Sequence, residues 1–137
     1  MADIPVIELS IDLDMPPETI RAVAGELKSL RSNEILIIGS GNMVHNLRFM
    51  EPEIDHPPYE WAIQANDKLH ALILDEKMEI LFHIDELDKD IRKGIPSPDH
   101  YMPMLYTLGL KEENDTIRFF HRGIQHASVS MASFIIG

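Results

Sequence analysis

Two short apolar runs, residues 4–9 and 34–38, flank a stretch with helical spacing, and that order constrains the fold more than any other feature of the chain. Each run reads as a buried strand. Between them, Asp14 stands where it can cap a helix whose first turn holds Pro16 and Pro17. Ile20, Val23, Ala24, Leu27 and Leu30 then recur at helical spacing, which predicts a helix over residues 16–31. Strand, helix, strand is a βαβ unit, with a right-handed crossover and parallel strands. The pattern therefore predicts an α/β fold with a parallel or mixed sheet. Such sheets place ligands at the carboxyl ends of their strands, so residues 39–48 sit where chemistry is expected.

The rest of the chain alternates helices and turns. Three prolines make residues 51–58 a loop, and residues 59–74 read as a helix with Trp61, Ala65, Leu69 and Leu72 near one face. Residues 76–83 and 84–93 predict shorter helices, stopped by Gly94-Ile95-Pro96. Ser97-Pro98 offers an N-cap and first position for another helix, running to Leu108 and ended by Gly109. Residues 116–120 and 127–136 read as strands. No internal repeat or linker divides the 137 residues, so they make one domain or part of one.

Composition removes several classes of function. A net charge of −11 argues against nucleic acid or an anionic membrane as a partner. With no cysteine, disulfides and thiolate metal sites are excluded, and any metal must be held by His, Asp or Glu. No signal peptide or membrane-spanning run is visible, which makes the cytoplasm the default location.

Seven histidines are the natural candidates for chemistry. His45 follows a strand and the turn Gly39-Ser40-Gly41-Asn42, whose glycines let the backbone approach a neighbour closely. An imidazole there can ligate a metal, shuttle a proton, or merely hydrogen-bond within its loop. His100 sits in the first turn of an apolar helix, where a surface role is the alternative. His56 and His70 read as loop and helix-surface residues, and His83 as a helix-end cation. His121 and His126 flank Gly123, with His126 placed to approach a cleft. The Gly-Ser-Gly-Asn turn lacks the third glycine of a dinucleotide fingerprint. Asp85, Glu86, Asp88 and Asp90 read as a solvated face.

Four blocks, in order, carry a family likeness. They are Ile4-Pro-Val-Ile-Glu-Leu-Ser-Ile-Asp12, Gly39-Ser-Gly-Asn-Met-Val-His-Asn-Leu-Arg48, Pro98-Asp-His-Tyr-Met-Pro-Met-Leu-Tyr-Thr-Leu-Gly109 and Ser128-Val-Ser-Met131. Together they resemble the carboxyl-terminal half of the DOPA-dioxygenase-like family, within the class III extradiol ring-cleavage dioxygenases. The resemblance implies a non-haem Fe(II) site, with Zn(II) as the substitute, a catecholic small molecule and dioxygen as substrates, and ring opening beside a hydroxyl. By motif match, His45 falls on the acid–base histidine and His100 on a metal ligand. Substrate-binding residues are not identified.

The same resemblance implies what this chain lacks. Family members carry two further metal-binding histidines in an amino-terminal half, and another active-site histidine shortly before the point where this chain starts. The expectation is a dioxygenase half that works with an amino-terminal-half partner chain or as a homo-oligomer. The alternative is a non-catalytic remnant or subunit of a split dioxygenase, with at most weak metal binding. Two structural expectations follow. His45 and His100 approach one another, and apolar surface is exposed where the absent half would pack. Asp99 is expected to miss any metal held by His100, because neighbours on a helix point about 100° apart.

Overall fold

The computed structural model describes residues 3–137. Five helices occur in it: α1 (Pro17–Arg31), α2 (Glu60–Leu74), α3 (Met78–Phe82), α4 (Lys89–Gly94) and α5 (Met102–Gly109). Four short strands follow: β1 (Ile117–His121), β2 (Ile124–Gln125), β3 (Val129–Ser130) and β4 (Ser133–Ile136). β1 pairs with β4 and β2 with β3, both antiparallel, in two separate two-stranded sheets. A bulge between Phe119 and His121 interrupts the first ladder.

The helices pack through small residues at their crossings. A Cβ on Gly109 would lie 2.6 Å from Cβ of Ala24, so α5 rests closely on α1. On α4, Gly94 admits Val44 and Ala65 of α2 in the same way. Leu69, Ile73, Leu81, Ile91, Tyr101 and Leu105 fill the core between them. Tyr101 is wholly buried and donates its hydroxyl to the Leu81 carbonyl at 3.0 Å, which satisfies its only polar atom. Arg31, at the end of α1, makes a two-pronged ion pair with Asp115 at 2.6 and 3.0 Å. That bond holds the Asp115 carboxyl down to about 2 and ties α1 to the start of β1.

The helix over residues 16–31 is present almost as its spacing predicts, although Pro16 rather than Asp14 occupies the N-cap. Three other expectations need correction. Residues 4–9 and 34–38 form neither strand nor helix, and no parallel pair exists among the described residues. Residues 4–11 make no backbone hydrogen bond among the described residues. A strand exists only through the partners on its edges, and these two apolar runs find none here. The second correction is the helix at Ser97, which starts only at Met102. Pro103 has no N–H to donate, so it must lie in the first turn, and residues 98–101 form a turn instead. Third, residues 127–136 are split into β3 and β4 rather than forming one strand.

The unpaired runs leave much apolar surface in contact with solvent. Ile4, Val6 and Ile7 are 83%, 86% and 93% exposed, and Leu36 and Ile38 are 79% and 76% exposed. This is the exposed apolar face expected from the sequence.

Candidate functional site

The segment Gly39 to Gly41 is built to lie flat against the start of α5 and the turn before it. A Cβ on Gly41 would fall 2.3 Å from the His100 carbonyl oxygen, and one on Gly39 would fall 2.5 Å from that of Pro103. None of these glycines takes a positive φ. Their role is close backbone approach, not a left-handed turn. Replacing Gly41 with alanine is therefore expected to force the two segments apart. Overpacking of this kind costs about 1–3 kcal/mol. A chemical denaturation midpoint unchanged from the parent chain would refute the fit.

The chain then dives into the core, with Met43, Val44, His45 and Asn46 all buried. The His45 amide donates to the Gly94 carbonyl at 2.8 Å, and His45 bridges to Val129 of β3. Ser130 N–H returns a bond to the Val44 carbonyl, also at 2.8 Å, and the Asn42 side-chain amide donates to the Ser130 carbonyl at 2.7 Å. The backbone of His45 is thus clamped from α4 and β3 together.

Its ring is held as tightly. Nδ1 lies 2.9 Å from the Asn42 carbonyl oxygen and Nε2 lies 3.1 Å from that of Ser97. A neutral imidazole has one N–H, so it satisfies only one of these acceptors at a time. A second proton would satisfy both. Burial opposes that proton and pulls the His45 pKa below its ordinary value, helped by the nearby His100 ring. The two carbonyls pull the other way. His45 is a buried neutral base with an acceptor already waiting for the proton it takes up.

His100 comes to it as the sequence suggested. The ring centroids are 4.9 Å apart, with planes inclined at 32°. The two rings differ in access: the His45 side chain is 3% exposed and that of His100 is 45% exposed. His100 lines an open groove of about 870 Å³ walled by residues 34–42 on one side and by β4 and Phe120 on the other. His45 lies behind that lining.

Asp99 lies in a turn and not on a helix. Because residues 98–101 form a turn, the helical 100° rule does not apply, and its carboxylate faces both rings. Its oxygens lie 3.7 Å from Nε2 of His45 and 3.9 Å from Nε2 of His100. The Ser97 hydroxyl donates to it at 2.5 Å and keeps it ionised below the usual carboxylate range. The turn signal was legible in Ser-Pro-Asp, which favours a side-chain-bonded turn as much as a helix start. The proximity of the three groups does not make a metal centre. Among the described residues no group of three His, Cys, Asp or Glu side chains is arranged to hold a metal ion.

The other histidines stay apart from this pair. His126 does not reach it: its Nδ1 bonds the Glu51 carbonyl at 2.9 Å, and it holds a left-handed backbone with φ of 50°. His70, read as a helix-surface residue, is in fact buried on α2 against Phe119. No helix among the described residues is long and apolar enough to cross a membrane.

No protein-family model matches the chain. It is 34% identical over 140 residues to a protein of Escherichia coli K12 named 4,5-DOPA dioxygenase extradiol, a match covering 99% of this chain and 51% of that protein. Proteins of the same name from Portulaca grandiflora and Beta vulgaris are 25% and 24% identical, each over 97% of this chain and 49% of their own length. The crystal structure of an uncharacterized Escherichia coli K12 protein superposes with a TM-score of 0.81 at 31% identity, over 91% of this chain and 52% of that one. The chain spans about half the length of the relatives it matches.

Proposed function

We propose, for a chain that belongs to the DOPA-dioxygenase-like family, that it is the carboxyl-terminal half of a class III extradiol dioxygenase acting on a catecholic substrate with dioxygen. The observation that carries this reading is the pairing of a buried His45 with a solvent-facing His100 across a glycine-built contact. In this reading His45 takes a proton from a substrate hydroxyl and returns it later. His100 is the one protein ligand this half contributes to Fe(II), or to Zn(II) in its place.

The chain's own donors fall short of a metal site. A ferrous centre of this kind needs roughly three protein ligands with positions left open. His45 has both ring nitrogens turned to carbonyl oxygens, and no three-donor group is present among the described residues. We therefore assign the remaining ligands to an amino-terminal half of the kind that makes up the other half of the relatives' length. That half also supplies strand partners for the bare runs at residues 4–9 and 34–38, whether it is a separate chain or continuous with this one.

Iron content tests this directly. Purified chain incubated anaerobically with ferrous iron and desalted is expected to retain far less than one iron per chain. One tightly held iron per chain would overturn the shared-site reading. A preparation that stays iron-free even with an amino-terminal half bound would favour the second reading, a non-catalytic subunit of a split dioxygenase.

A further inference from the structure

We infer that His70 is an acid-sensitive latch fastening the β1–β4 ribbon to α2. Among the described residues the ribbon pairs with no other strand, so side chains on one of its faces must hold it to the helices. Ile117, Phe119, Phe134 and Ile136 supply that face. Phe119 stands at its middle, 5.3 Å from Phe134 across the ladder, and its ring centroid lies 4.4 Å from that of His70. His70 is 5% exposed, and its Nε2 is buried without a hydrogen-bond partner among the described residues.

A neutral ring tolerates that seat, with its unpartnered nitrogen against an aromatic face. An imidazolium there would carry a buried N–H with no acceptor. Its charged neighbours are Arg122, at the end of β1, and Asp67, one turn earlier on α2. The Arg122 guanidinium stands 5.1 Å from the Phe119 ring, so a second cation would enter the same seam. Burial and then Arg122 lower the His70 pKa, and Asp67 only partly offsets them.

The sign follows. The docked ribbon binds the proton less readily than the undocked one, so docking is fully favourable above the ordinary imidazole value of about 6.5. It weakens as pH falls below that value toward the depressed one. Since β4 and Phe120 wall the groove beside His100, the latch sets the shape of that wall.

Amide hydrogen exchange on the full chain, corrected for intrinsic rates, reads this out at pH 7.5 and 5.5. Exchange at residues 117–121 and 133–136 is expected to quicken by up to about tenfold at the lower pH, the limit set by one pH unit below the unperturbed value. Exchange at α1 and α5 is expected to hold steady. His70→Phe and His70→Gln are expected to remove the ribbon's pH response, and His45, which also has a lowered pKa, remains in both variants as an internal control. The proton NMR titration of His70 in the parent chain needs no variant. An ordinary midpoint there would overturn the latch, as would ribbon protection equal at both pH values or equal pH loss in both variants.

Discussion

Supplied with ferrous iron and a catechol such as DOPA under nitrogen and then exposed to oxygen, the chain alone is expected to produce no yellow semialdehyde above the rate of iron in buffer. Adding an amino-terminal half is expected to raise turnover at least about 10²-fold, the lower end of what one positioned acid–base group contributes. The reasoning is a count of donors and of surface. On the proposed reading His100 supplies one ligand, His45 is committed to two carbonyl oxygens, and no group of three donors that could hold a metal forms among the described residues. The apolar run at residues 4–9 is bare along its length, Ile35, Leu36 and Ile38 of the second run are exposed, and residues 34–38 wall the groove into which His100 opens. A partner that pairs those runs would close the groove and exclude water from it. Robust turnover by this chain alone would defeat the proposal.

In the reconstituted assembly, His45→Ala and His100→Ala are expected to fail differently. His45→Ala should keep its iron and lose about 10²–10⁴-fold in kcat, because it removes proton transfer and leaves the ligand in place. His100→Ala should lose metal affinity by more than the roughly 10–100-fold that removing even an outer-shell partner costs. Metal analysis beside steady-state kinetics separates the two. If both variants lose iron equally, His45 is itself a ligand and the division of labour fails. The structure motivates the division through access: the buried ring is held on both sides by carbonyls, while the exposed ring faces the groove.

The site was more legible in the sequence than the sheet. His45 and His100 are separated by 55 positions, and nothing in that spacing says that they meet. What pointed to them was the ordered set of motif blocks, together with the loop position of His45. The reason they meet is carried by Gly39 and Gly41, which allow two backbones to touch. The helical placement of Asp99 failed because residues 98–101 form a turn. The two predicted strands failed for a different reason. Their apolar content was read correctly, but strand formation is a property of pairs.

The sequence by itself determined what depends on neighbours along the chain. The span of α1, the span of α2 and the exclusion of thiolate metal chemistry follow from periodicity and composition. Only the tertiary structure decided which side chains face water. It buried His70 and His45, left Ile7 and Leu36 bare, and turned Asp99 toward two imidazoles. Those outcomes rest on contacts between segments distant in sequence, whose free energy no local pattern records.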